Sequence, residues 1–184
     1  MTPFFSRQGD DGYTGLLGKG RVPKFSARME ALGALDEATA VLGVSRNLSS
    51  APEVQPLIVQ VQRDLYAVMA ETAATAETAE RFRSIGSERV DWLEGQIESF
   101  EKQVKMPEEF IVPGATLSGG YMSVARTVVR RAERRLVELF HTGEVQNEHL
   151  VRYLNRLSSL CFVLELFENQ HAGVDRPDLA KTDS

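Results

Sequence analysis

The sequence predicts an all-α protein: a single-domain five-helix bundle with four core helices plus one. Five stretches carry apolar residues at helical spacing, and no run alternates convincingly as a half-buried strand does. The length of 184 residues and a hydrophobic share of 42% suit one domain with one core.

The first helix is expected from Arg28 to about Asn47, with Ser26 as its cap and Ser49-Ser-Ala-Pro52 as its break. The second should run from about Glu53 to Phe82, on a stripe of Ile58, Val61, Leu65, Val68 and Met69. Its alanine-rich later part carries little pattern. Gly86-Ser87 marks the next break, with Ser87 as cap, and Val90, Leu93, Ile97 and Phe100 form the third stripe. Met106 to Gly120, with Pro107, Pro113 and three glycines, reads as an ordered loop. A fourth helix follows over about Ser118–His141 and a fifth over about Val145–Gln170. The chain divides into a glycine-rich segment (1–25), a helical bundle (26–172) and a polar tail (173–184).

Charge and cysteine content narrow the function classes. A net charge of −5 argues against general nucleic-acid binding. The single Cys161 forms no internal disulfide and fits a reducing compartment. The first residues have no apolar signal region and no window approaches a membrane span, so cytoplasm is the expected location and no membrane partner is expected.

Residues 9–24, Gly9-Asp-Asp-Gly-Tyr-Thr-Gly-Leu-Leu-Gly-Lys-Gly-Arg-Val-Pro-Lys24, hold five glycines, three cations and two acids. Exposed backbone amides beside Lys or Arg form anion cradles, so this composition suits a polyphosphate. Neither the P-loop frame nor the dinucleotide Gly-x-Gly-x-x-Gly frame is present. A flexible N-terminal tail has the same composition, and composition alone leaves both readings open.

Polar residues among the apolar stripes point to a site. At 100° per residue, Arg130 lies about 40° and Glu133 about −20° from Arg126 on the fourth helix, beside Val129, Leu136, Val137 and Phe140. Arg131, Arg134 and Arg135 suit a solvated face; Arg126 and Arg130 do not. On the first helix Asp36 has Met29, Leu32, Gly33, Ala40 and Gly43 for neighbours. A carboxylate buried there needs a cation, and Arg126 is the natural one. Glu37 points away from that arc. Asn155 lies near Val151, Phe162 and Leu166, where an amide either ties helices together or recognises a sugar hydroxyl or phosphate oxygen. Cys161 reads as core. His141, His149 and His171 lack metal-ligand spacing and read as surface or capping residues, so no metal-ligand set is expected.

Three blocks carry a resemblance. The first is Gly9 to Lys24, continued by Arg28-Met-Glu30 and Leu32-Gly-Ala-Leu-Asp36-Glu37. The second is Phe110-Ile-Val-Pro113-Gly114 with Ala125-Arg126-Thr-Val-Val-Arg130-Arg131-Ala-Glu133-Arg134; the third is Val151-Arg-Tyr-Leu-Asn155-Arg156-Leu-Ser158. In this order they resemble the PduO-type ATP:cob(I)alamin adenosyltransferases. Ala115 stands where the family usually has a second glycine, and Ser159 where it usually has Asp.

The resemblance implies a homotrimeric helical bundle with active sites between subunits. It implies ATP held by the glycine-rich segment, with Gly9, Asp10, Gly12, Thr14, Gly15, Lys19, Arg21, Lys24, Arg28, Arg130, Glu133, Arg134 and Asn155 as its binding residues. Asp36 and Arg126 would pair at the subunit interface beside the corrinoid, and Phe110 would occupy the lower face of cobalt. These three are the implied catalytic residues. Magnesium would share the phosphate charge. A reductase and an adenosylcobalamin-dependent enzyme are the protein partners this implies. Cob(I)alamin is already a strong nucleophile, so attack on the ribose C5′ of ATP needs positioning and a stabilised triphosphate leaving group rather than a general base. The competing readings are a non-catalytic nucleotide-sensing or corrinoid-delivery relative and a plain helical scaffold.

Overall fold

The structure, a computed structural model, describes residue 5 and residues 7–181. The outermost parts of the N-terminal segment and C-terminal tail lie outside the described residues. The elements are β1 (Tyr13–Gly15), β2 (Arg21–Pro23), α1 (Ala27–Leu48), α2 (Val54–Ala73), α3 (Ser87–Glu101), α4 (Leu117–His141) and α5 (Glu148–His171), with a single 3-10 turn at Ala79–Arg81. Five helices form the bundle, as the apolar stripes predict. α4 packs on both α5 and α1, α1 also packs on α2, and α3 packs on α5.

The core face of α1 is Ala31, Ala34, Leu35, Ala38 and Leu42, which meets Leu57, Ile58, Val61 and Leu65 of α2. Met122, Val129, Leu136 and Leu139 of α4 and Leu150, Leu154, Leu157 and Leu164 of α5 complete it. A polar knot around Asp64 lies inside: Tyr153 Oη donates to Asp64 at 2.7 Å, Arg89 to the same oxygen at 2.5 Å, and Gln60 to Asp64 at 3.0 Å. Three donors satisfy the carboxylate that burial would otherwise penalise.

Helix starts differ in detail from expectation. Ser26 is the N-cap of α1, but its hydroxyl makes no capping bond and is buried without a partner. Gly86, not Ser87, caps α3. Thr116 accepts from Gly119 N to cap α4, and Asn147 accepts from His149 N to cap α5.

The second helix stops at Ala73 rather than Phe82. Its alanine-rich continuation has another task. Ala74 forms an isolated parallel bridge with Leu17, Leu17 N donates to Ala73 O at 2.9 Å, and Thr75 N donates to Leu17 O at 3.4 Å. The chain leaves the helix there to seat the N-terminal segment. That segment is neither a loop nor a tail but a small antiparallel hairpin, with Tyr13 opposite Pro23 and Gly15 opposite Arg21.

Candidate active site

The hairpin is folded by its own polar groups. Arg21 grips Asp11 with both terminal nitrogens, at 2.7 and 2.8 Å, and donates to the carbonyls of Gln8 and Tyr13 at 2.5 and 3.1 Å. The guanidinium holds the Asp11 carboxyl below the usual carboxylate range. Lys24 Nζ donates to Gly9 O at 2.7 Å, and its backbone N to Gly12 O at 2.9 Å. Gly12 and Gly20 have φ of +82° and +100°, the left-handed region that lets the chain turn on either side of β1. Asp10, Gly15 and Lys19 are exposed and Thr14 is half-buried on this surface.

Arg28 is 8% exposed beneath the hairpin. Nη1 donates to the carbonyls of Thr72 and Ala74, both at 2.8 Å; Nη2 donates to Glu144 O at 3.0 Å and Nε to Glu144 Oε2 at 3.2 Å. All three nitrogens are engaged by the protein. Arg28 therefore ties the start of α1 to the end of α2 and to the α4–α5 connection, at the point where the hairpin docks.

A cleft of about 640 Å3 lies along α5. Ile97 and Glu101 of α3, Arg126 and Arg130 of α4, Ser158, Ser159, Phe162 and Glu165 of α5, and the loop from Met106 to Pro113 line it. Phe110 stands at its wall with 87% of its surface exposed. The cleft thus gathers Phe110, Arg126 and Arg130 from separate parts of the chain. None of residues 9–28 lines it, so a single chain keeps the hairpin apart from the cleft.

The remaining expected residues fall as follows. Asn155 donates to Glu133 Oε1 at 2.8 Å and accepts from Arg156 at 2.9 Å, and Arg156 reaches Glu94 at 2.8 Å, a polar chain from α4 through α5 to α3. Arg134 is exposed. Arg131 pairs with Glu37, which points away from the Asp36 arc, and Arg135 with Glu30 at 3.8 Å. Asp36 is exposed, as are Gly33 and Ala40. Its arc is the outer face of α1, not part of this chain's core, and Asp36 and Arg126 form no ion pair within the described chain. Arg126 Nε is buried without a hydrogen-bond partner.

Two features were not expected. Glu165, only 1% exposed, lines the cleft near Arg126, and its Oε1 has no hydrogen-bond partner. Burial pushes its carboxyl up, against the pull of Ser123 and Arg126. A carboxylate flanked by Leu164 and Leu166 was a legible signal, of the kind that singles out Asp36. The other is the pairing of residues 178–180 with the Phe110 loop, for which a polar tail gives no sign. Cys161 is fully buried, as expected, and its thiol is pushed up to about 12 by burial. No group of His, Cys, Asp and Glu among the described residues is placed to hold a metal ion, and no described helix is long and apolar enough to cross a membrane.

A helical bundle with a cleft lined by two arginines and four glutamates, and a glycine-rich antiparallel hairpin set apart from it, is the class of protein defined here. Residues 4–168 match the family model described as cobalamin adenosyltransferase. The chain is 33% identical over 174 residues to the corrinoid adenosyltransferase of Bacillus subtilis, covering 92% of this chain and 88% of that one. It is 38% identical over 170 residues to the corrinoid adenosyltransferase PduO of Citrobacter freundii, covering 91% of this chain but 50% of the relative. A variant PduO-type ATP:corrinoid adenosyltransferase from Lactobacillus reuteri, complexed with cobalamin and ATP, superposes with a TM-score of 0.89 at 27% identity, over 99% of this chain and 98% of that one. This chain belongs to the cobalamin adenosyltransferase family.

Proposed function

We propose that this protein transfers the 5′-deoxyadenosyl group of ATP to the cobalt of reduced cob(I)alamin. The Co–C bond forms with the electron pair of Co(I), the C5′–O bond breaks, and triphosphate leaves. The observation that carries the reading is the cleft that gathers Phe110, Arg126 and Arg130, in a chain of this family.

The hairpin takes the triphosphate. Lys19 is exposed for it, and Lys24 and Arg21 keep the backbone amides in place. Arg130, Glu133, Arg134 and Asn155 serve the nucleotide from the bundle, and Arg28 acts from beneath as an anchor. Magnesium enters as part of the nucleotide substrate, since a bound Mg2+ commonly keeps its waters and phosphate oxygens. Phe110 presents an apolar ring to the lower face of the corrinoid, and Arg126 borders the same cleft.

A homotrimer with sites between copies fits two features. The hairpin and the cleft lie apart on one chain. Val44 and Leu48 of α1 and Leu117, Tyr121 and Val124 of α4 are 36–67% exposed and lie at one end of the α1–α4 pair, beyond the Asp36 arc. In the assembly proposed here, Asp36 of one copy pairs with Arg126 of another, and the hairpin of one copy serves the cleft of another. Incubation with ATP and chemically reduced cobalamin tests the activity: a light-sensitive Co–C spectrum is expected, and its absence with both ligands bound would favour a sensing or delivery role. Sedimentation tests the assembly, with a species of three chains expected.

A further inference from the structure

We infer that the C-terminal segment Pro177–Lys181 is a positioning strap for Phe110. After α5 the chain turns at Gly173, where Val174 N donates back to Asn169 O at 2.8 Å. It then runs antiparallel to the cleft loop, with Leu179 bridged to Ile111. Val112 N donates to Asp178 O at 2.7 Å, and Ala180 N donates to Phe110 O at 2.7 Å. These two bonds grip the loop on both sides of Ile111. Among the described residues, 105–115 make no other backbone hydrogen bond.

The Phe110 ring is 87% exposed, so its own packing does little to fix its place. The loop between α3 and α4 contains Pro107 and Pro113, which donate no backbone bonds. The location of the ring over the cleft is therefore set by the strap. Ordering the loop beforehand removes part of the entropy that corrinoid binding would otherwise oppose. Asp178, Leu179 and Ala180 act through Phe110 and touch no reacting atom, so they are positioning residues. This inference rests on the lower-face role of Phe110 proposed above.

Ala180→Pro in the full chain tests it. Proline keeps an extended backbone but deletes the N–H that bonds Phe110 O. Ala180→Gly retains the N–H and serves as control, and Phe110→Ala is measured beside them. Expected for Ala180→Pro are faster hydrogen exchange at the Val112 amide and a fall of roughly tenfold in turnover or in corrinoid kcat/KM, the scale on which misplaced groups slow reactions. The KM for ATP should stay unchanged, and Ala180→Gly should match the parent protein. Wild-type turnover and corrinoid KM in Ala180→Pro, with Phe110→Ala impaired, overturn the strap and leave the ring's role standing. Wild-type turnover in Phe110→Ala overturns the reading beneath both. If Ala180→Pro also weakens the bundle, exchange at Val112 is compared with the α5 amides: selective acceleration supports the strap, and uniform acceleration overturns it.

Discussion

The N-terminal hairpin and the Phe110 loop are held in opposite ways. The hairpin is saturated with its own polar contacts: Arg21 alone makes four hydrogen bonds, Lys24 closes the loop on Gly9, and Arg28 locks the dock from below. The Phe110 loop has two backbone bonds, both to a distant segment, and leaves its aromatic ring in the open. A site for a highly charged ligand must have its donors aimed in advance, because reorienting dipoles during reaction costs rate. On the assignment proposed above, the nucleotide side is braced by side-chain contacts of the hairpin itself and the corrinoid side by the two strap bonds.

Substitutions on each side should therefore fail differently. Phe110→Ala should have the largest effect on turnover, lowering adenosylation by about tenfold or more while ATP affinity measured by calorimetry stays near the parent value. Equal losses in ATP affinity would erase the distinction between the sides. Arg126→Ala should come next, weakening assembly or corrinoid binding, whereas Arg135→Ala should do little. Arg135 makes only exposed contacts at 3.5 and 3.8 Å, and such pairs contribute about 0–1 kcal/mol. Sedimentation and steady-state kinetics compare the two.

The helices were legible in the sequence because each buries a stripe at a recognisable spacing. The hairpin was not. Tyr13-Thr-Gly15 and Arg21-Val-Pro23 are too short to alternate, and they are held by Leu17 meeting Ala73–Thr75, a contact between residues far apart in sequence. The end of α2 was lost for the same reason, since the alanines that blur it leave the helix to form the dock. The cations of α4 were sorted correctly into Arg126, near the core, and Arg131, Arg134 and Arg135, on the surface. Arg130 proved exposed, though it lines the cleft. The arc around Asp36 looked like core because small and apolar residues give the same spacing on a helix whether that face is buried or exposed.

Gly18→Ala probes the dock at a smaller scale. A Cβ at Gly18 would lie 2.4 Å from Thr75 Oγ1 and 2.7 Å from Thr75 Cγ2. The hairpin must shift, so KM for ATP should rise by about threefold to tenfold with little change in corrinoid KM. Hydrogen exchange over residues 9–24, with and without Mg-ATP, reports the same shift.

The smallest effect concerns pH. The Glu165 carboxyl is raised in the folded chain by burial, so the folded state binds its proton more tightly than the unfolded state does. Its contribution is fully present below the ordinary carboxylate range and is lost as pH rises through the raised value. Glu165→Gln should match the parent in urea midpoint at acidic pH and exceed it slightly near pH 8. An identical pH slope in both proteins would contradict this.

Cys161 carries a different consequence. ATP poised for attack at C5′ is an alkylating agent, and a thiolate is the side chain best suited to compete with cobalt for that carbon. The chain's one cysteine neighbours the cleft, yet it is fully buried and its thiol is pushed up to about 12. At neutral pH it stays protonated and out of reach. The fold thereby supplies chemoselectivity as well as placement: Cys161 offers no thiolate to compete with cobalt for that carbon.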